Sequence, residues 1–252
     1  RLFGAVGRMA PRDIVRSLSR TSVAIAALMT AVSVIVGVSI MIGSFRQTVV
    51  TWLNATLQAD IYISPPTLTA NRVEGTMQPD VVAELLAWPG VERASTARTA
   101  DVLVPAFDRE VGLVAVSGDI ADGSRPYAWI GGDEAEVWEK IRAGEGVIIS
   151  EPLVIKEGLG IPPEPITLLT NEGEREFPVL AVFYDYASDR GTIWIGNEIY
   201  GELWGDTAVS TIAIFVEEGV DIDQMVADMK AGVAGRQELT IQSNQALRQK
   251  SI

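Results

Sequence analysis

The sequence predicts an α+β chain in which an N-terminal amphipathic helix and a transmembrane helix precede an extracytoplasmic βαβ-type domain with a β-rich insertion. Three observations predict it. No charged residue occurs between Ser22 and Phe45. Residues 1–20 hold five arginines against one aspartate, so they carry +4 of a net charge of −13 and leave −17 to the rest. Beyond residue 46, apolar residues fall into short alternating runs and stretches of helical spacing, the signatures of half-buried strands and helices.

Composition removes many chemistries. The 252 residues include no cysteine and no histidine. Disulfides, thiolate zinc sites, cysteine nucleophiles, Ser-His-Asp triads and histidine metal ligands are therefore excluded. A pI near 4.5 argues against a nucleic-acid partner. The mean hydropathy of +0.22 is high for so acidic a chain, which concentrates its apolar residues in one place.

The first element is a basic helix over residues 1–21. Arg8, Arg12, Arg16 and Arg20 recur every four residues, with Ala10, Ile14, Val15 and Leu18 on the other side and Pro11 suited to the first turn. A basic amphipathic helix beside a span lies in the interface plane with its arginines at the headgroups. Residues 22–45 form the span. Twenty-four residues reach about 36 Å as a helix, against a hydrocarbon core of about 30 Å. Eleven of them are Val, Ile, Leu or Phe. These favour insertion by about 3–7 kcal/mol before polar costs. A cleaved signal fits less well, because its apolar region is shorter and a small-residue cleavage site follows it, whereas Phe45-Arg46-Gln47-Thr48 follows here. The positive-inside rule places residues 1–21 in the cytoplasm and residues 46–252 outside.

The span has two unlike faces. Ala26, Thr30, Ser33, Gly37 and Ser44 fall within about 60° of one another at 100° per residue. Ala24, Leu28, Ala31, Ile35, Val38 and Ile42 lie opposite. A small, weakly polar stripe lets another helix approach closely. Packing inside a multi-helix bundle is the favoured reading; homodimerisation, or the ordinary abundance of small residues in membrane helices, gives the same stripe.

The outer domain follows in order. Gln47 to Ala59 continues as helix, and Asp60–Ile63 is a strand ended by Pro65-Pro66. Pro79–Trp88 is a helix stopped by Pro89-Gly90, and Val91–Pro105 and Glu110–Gly118 are strands. Asp133–Ala143 is a short helix and Val147–Ser150 a strand. A hairpin joins Ile166–Thr170 to Glu176–Tyr184 through Asn171-Glu172-Gly173. Thr192–Ile195 is a strand, Asn197–Trp204 one or two helical turns, Thr211–Val216 a strand, and Asp221–Val233 a helix with Asp221 as N-cap. Leu239–Gln242 closes the domain as a strand. Residues 46–118 and 206–243 thus read as a βαβ-type core, residues 119–205 as a β-rich insertion, and residues 244–252 as the start of a helix leading to another span.

The lead-in Ala10-Pro11-Arg12-Asp13-Ile14-Val15-Arg16-Ser17-Leu18-Ser19-Arg20-Thr21 is similar to that of the FtsX-like, macrolide-exporter-type permeases of ABC transporters. Ala59-Asp60-Ile61-Tyr62-Ile63, Gly146-Val147-Ile148-Ile149-Ser150-Glu151 and Phe177-Pro178-Val179-Leu180-Ala181-Val182-Phe183 resemble the family's periplasmic core segments. The resemblance covers nearly the whole chain. It implies an ABC ATPase as partner, further transmembrane helices of the same permease or of a second copy, and a bacterial inner-membrane location. It also implies that the helix bearing Arg12, Arg16 and Arg20 lies near the ATPase and moves with it. On this resemblance the chain is expected to be one segment of a longer permease, in which helix and outer domain occur twice in long members.

No catalytic residue, cofactor or metal site is expected. The sequence lacks GxxxxGK[ST], so ATP would be hydrolysed by the partner. The acidic groups Asp119/Asp122, Asp133/Glu134/Glu136 and Glu172/Glu174/Glu176 read as solvated surface. Trp129, Trp138, Trp194 and Trp204 read as core, with a ligand or partner surface as the other possibility. Two functions follow: the permease half of an ABC system that exports or extracts a periplasmic or outer-leaflet substrate, or a single-pass anchored binding or sensor ectodomain.

Overall fold

A computed structural model describes residues 18–66, 75–117, 126–186, 188 and 190–251. It forms two compact units, Arg1–Thr51 and Trp52–Ile252.

The first unit is dominated by α1 (Leu18–Thr56). Its stretch Thr21–Asn54 contains a window of mean hydropathy 2.5, none of it buried. The large apolar side chains from Val23 to Phe45 are 43–71 % exposed. Valine and isoleucine lower helix propensity in water. In hydrocarbon the same backbone must satisfy every N–H and C=O internally, and a helix does so.

In the second unit, β1 (Ile61–Ser64) buries Ile61 and Ile63 and alternates them with Tyr62 and Ser64. Helix α2 (Pro79–Leu86) starts on Pro79 and buries Val81, Val82 and Leu85. Strand β2 (Val91–Val104) runs 14 residues. A single turn, Pro105–Phe107, and Asp108 at φ 50° reverse the chain into β3 (Arg109–Val116). Next come β4 (Tyr127–Ile130), α3 (Glu134–Arg142), β5 (Val147–Ser150) and α4 (Glu151–Glu157). Strands β6 (Ile166–Thr170), β7 (Gly173–Phe177), β8 (Val179–Phe183) and β9 (Thr192–Gly196) lead to α5 (Asn197–Trp204). Strand β10 (Thr211–Val216), α6 (Ile222–Val233), β11 (Thr240–Ser243) and α7 (Asn244–Ser251) complete it.

Nine strands form one sheet in the order β11-β1-β10-β2-β3-β9-β5-β8-β4. Its first four strands are two interleaved βαβ units. Strands β1 and β2, joined through α2, are parallel with β10 between them. Strands β10 and β11, joined through α6, are parallel with β1 between them. Helices α2 and α6 bury Val81, Leu85, Met225 and Met229 against Ile61, Ile63, Ile212 and Ile214. A second core joins Val102, Val104, Val111 and Leu113 to Ile149, Leu153, Leu168, Phe177 and Ile193. A third packs Trp138 and Ile141 of α3 on Ile148, Ala181 and Phe183.

Strand β2 belongs to both parts of the sheet. Val91–Ala97 pairs with β10, and Ala97–Val104 pairs with β3. Strands β4, β5, β8 and β9 therefore extend the same sheet that the βαβ units begin, whereas β6 and β7 pair as a separate two-stranded sheet.

Several local features differ from the sequence reading, which also gave no strand at Tyr127–Ile130, where β4 forms. The hairpin is β6–β7, not a pairing of residues 166–170 with one strand over 176–184. Pro178 has no N–H to offer a ladder, so the chain breaks there and β8 enters the large sheet beside β5. Helix α1 ends at Thr56, not Ala59, because residues 57–60 turn into β1. Helix α4 was not foreseen: seven residues are too few for a periodic signal, although Pro152 in its first turn and Gly158 at φ 64° after it are ordinary start and stop residues.

Candidate functional site

The residues singled out by the sequence lie on α1 or on the segment before it, and a polar cluster joins the two ends of the second unit. Arg12 and Arg16 fall outside the described residues, and Arg20 lies in the first turn of α1. Ala26, Thr30, Ser33, Gly37 and Ser44 all lie on α1 and are exposed. The Thr30 hydroxyl donates to the Ala26 carbonyl at 2.9 Å, and Thr48 donates to Ser44 at 3.0 Å. The Thr30 hydroxyl is thus satisfied within its own helix, a common use of threonine in apolar helices. A Cβ placed on Gly37 meets nothing within 4 Å.

Where α1 ends, its last carbonyls need donors from outside the helix. The start of α7 supplies donors to the carbonyls just past that end, at residues 57–60. Asn244 donates its Nδ2 to the carbonyls of Leu57 at 2.9 Å and Ala59 at 2.7 Å, and its backbone N–H to Asp60 O at 2.8 Å. Arg248 donates Nη2 to Leu57 O at 3.0 Å, Nε to Asn244 Oδ1 and Nη1 to Asn54 Oδ1. A guanidinium at a helix C-terminus also meets the negative end of the helix dipole. Asp60 carries the connection into the sheet: its N–H donates to Ile214 O at 2.9 Å, and its Oδ2 accepts from Val216 N at 3.0 Å. Tyr62 Oη accepts from Ala59 N at 3.1 Å. Burial pushes the Tyr62 phenol up to about 12, against the lowering effect of that hydrogen bond, so it stays neutral. The incoming chain, the outgoing helix and two strands are bound as one clasp.

A second cluster pins β2 where it passes between its two sets of partners. Arg98 Nε donates to Asp206 Oδ2 at 2.7 Å, and Tyr200 Oη donates to the same oxygen at 3.2 Å. Ala208 N donates to Asp206 Oδ1 at 2.9 Å. Buried Ser210 accepts from Thr99 N and Arg98 Nη1, each at 3.2 Å. Burial alone would raise the Asp206 carboxyl, but the Ala208 N–H and the Arg98 guanidinium outweigh it and hold it below the usual range. Burial, then the Asp206 charge, raises Tyr200. On the other side of Ala97, Thr96 N donates to Ser117 Oγ at 2.9 Å.

Among the described residues, no group of three or more carboxylates is placed to hold a metal. Asp119 and Asp122 lie outside the described residues. Asp133 caps α3 by accepting from Ala135 N, Glu134 accepts from Tyr127 Oη, and Glu136 pairs with Lys140. Glu172, Glu174 and Glu176 are exposed on the β6–β7 hairpin. Trp138 is buried, and Trp129, Trp194 and Trp204 pack on the cores half-buried. The clasp had no sequence signal beyond a polar helix start at Asn244, since Arg248 and Asn54 stand 194 residues apart.

No family model matches the chain. Among solved structures it is similar to the periplasmic region of MacB from Actinobacillus actinomycetemcomitans, with 11 % identity and a TM-score of 0.49 over 79 % of this chain and 95 % of that one. It is also similar to the extracellular domain of the noncanonic ABC-type transporter YknZ from Gram-positive bacteria, with 12 % identity and a TM-score of 0.47 over 73 % and 98 %. An ABC transporter permease protein of Mycobacterium tuberculosis is 51 % identical over all 252 residues, which are 30 % of its own length. The chain is, from end to end, a homologue of one segment of an ABC transporter permease.

Proposed function

We propose that the chain is the part of a permease subunit that carries ATP-driven movement from a partner ABC ATPase to an extracytoplasmic domain. That domain then exports or extracts a substrate from the periplasm or the outer leaflet. The site is the bacterial cytoplasmic membrane, with residues 1–21 cytoplasmic and residues 46–252 outside. Arg12, Arg16 and Arg20 receive the movement beside the ATPase. The stripe Ala26, Thr30, Ser33, Gly37 and Ser44 packs α1 against further helices of the permease or of a second copy. Residues 46–118 and 206–243 form the βαβ-type core and residues 119–205 its insertion, with β2 and β3 serving both. ATP hydrolysis belongs to the partner; no nucleic acid takes part.

The clasp is the observation that carries this reading. A tethering helix for a sensor needs only covalent attachment. Here the end of α1 and the start of α7 hold one another through Arg248 and Asn244, and Asp60 ties both to β10. Displacement of either helix therefore moves the base of the sheet. Hydrogen bonds to a charged group contribute about 1.5–3 kcal/mol each, enough to keep the junction closed under load. In the full-length permease with its ATPase, Arg248→Met is expected to leave ATP hydrolysis running while substrate movement per ATP falls. Unchanged transport at normal expression would sink the proposal.

A further inference from the structure

The apolar residues of the second unit divide without overlap. The core under α2 and α6 draws only on residues 61–94 and 209–241. The other two cores draw only on residues 97–204. Between the two sets stand Ser95 and Thr96 on β2, and Gly205, Asp206, Thr207 and Ala208 on the returning chain. The sheet thins at the same place. Strand β10 pairs with β2 as far as Ala97, and β3 takes over from Ala97. Ala97 is thus the one residue of β2 with a strand partner on both sides. A bridge one strand wide, with a polar layer and no shared apolar core, can bend without exposing apolar surface to water.

Polar groups hold this joint. Ser210, just ahead of β10, accepts from Thr99 N and Arg98 Nη1, which lie past the end of the β10 ladder. Ser117, just past β3, accepts from Thr96 N, and its own N–H donates to Thr96 O, each at 2.9 Å. Each serine therefore reaches past Ala97 to the other half. Arg98 then ties β2 to the returning chain through Asp206, which Tyr200 of α5 also holds. The Arg98 and Asp206 side chains are 23 % and 29 % exposed, so water can solvate both when they part.

We propose that Ala97 is a hinge between the half built on α2 and α6 and the half built from residues 98–204, and that Arg98 with Asp206 is the latch that fixes the angle between them. On the permease reading, one half then turns on the other instead of following it rigidly. The hinge itself does not depend on that reading and is tested without ATPase or substrate.

The chain has no cysteine, so spin labels can be placed in chosen pairs. In the full chain in phosphatidylcholine nanodiscs, Ala83→Cys on α2 with Ile155→Cys on α4 spans the joint. Ala83→Cys with Asp223→Cys on α6 lies within one half, and Ile155→Cys with Glu174→Cys on β7 lies within the other. All four positions are exposed. By double electron–electron resonance, Asp206→Ala and Arg98→Met are each expected to shift and broaden the spanning distance while both internal distances stay as in the parent. A spanning distance unchanged in either variant overturns the proposal. Internal distances that broaden with it overturn it equally, since the network then only maintains the fold. Asp206→Asn, which can still accept from Ala208 N, reports on the same latch where Asp206→Ala does not fold.

Discussion

Arg98, Asp206 and Tyr200 illustrate how a single carboxylate can hold a long strand in place. Asp206 accepts three hydrogen bonds, one from a guanidinium. Asp206→Ala removes them and leaves a partly buried cation, so a loss of about 1–3 kcal/mol is expected in denaturant unfolding. Because the folded pKa is lowered, the contribution is complete above the ordinary carboxylate range and disappears as the pH falls through the lowered folded value. The stability gap between wild type and Asp206→Asn is therefore expected to be constant near neutrality and to close below about pH 4. A gap that persists in acid would mean that the hydrogen-bond geometry, not the charge, is what counts. Gly196 gives a second check. A Cβ there collides with the Ile141 carbonyl oxygen, a backbone atom that cannot rotate aside. Gly196→Ala is expected to cost about 1–3 kcal/mol, read as a lower midpoint at unchanged m-value. Neither site could be read from the sequence, since Asp206 is 108 residues from Arg98. Local chemistry was readable: Asp221 does cap α6, accepting from Gln224 N at 3.0 Å, because a cap involves only neighbours along the chain.

Among the elements, α1 was the most legible, since a 24-residue run without charge has few alternatives. The strands were legible where alternation was clean, as in β1 and β10. They were misread where proline fell between two apolar runs, because Pro178 separates a hairpin strand from a sheet strand and periodicity does not reveal the partner. The stripe on α1 is legible as a pattern and silent as to what covers it. Gly37→Leu fills the open space at that position, whereas Ile35→Leu alters the opposite face. In the full-length permease, Gly37→Leu is expected to impair assembly or transport while Ile35→Leu does little. Equal and negligible effects would favour a lone anchor. On the preceding basic segment, Arg16→Lys keeps the attraction to anionic headgroups but loses planar bidentate geometry. Insertion is expected to survive and transport-coupled ATPase activity to fall. Normal coupling in Arg12→Lys, Arg16→Lys and Arg20→Lys alike would reduce these arginines to topology determinants.

For the chain taken together, the charge split implies one orientation. Alkaline phosphatase fused after Ile252 is expected to be active and a cytoplasm-dependent reporter silent; the reverse would overturn the assignment of residues 46–252 to the outside. The βαβ character of the outer domain was legible from the order of strands and helices. What could not be read is that β10 and β11 interleave with β1 and β2, or that β2 continues into the second core. Those pairings join residues separated by more than 100 positions.

That sharing of β2 has a consequence for how the protein is made. Strand β3 follows β2 after one short turn, so this pair can close as soon as both leave the ribosome. Strand β1 is in the opposite situation. Its neighbours β10 and β11 are synthesised about 150 and about 180 residues later. Until then Ile61, Ile63, Val81 and Leu85 have no sheet to cover them. Loop closure over such a separation is slow, and exposed apolar surface in the interval invites aggregation or chaperone capture. The segment that emerges first after the span is thus among the last to become stable. Its completion waits for residues 240–248, when β11 pairs and Arg248 reaches Asn54. Nascent chains halted before residue 211 should therefore be protease-resistant around β2–β3 and cut within residues 57–86.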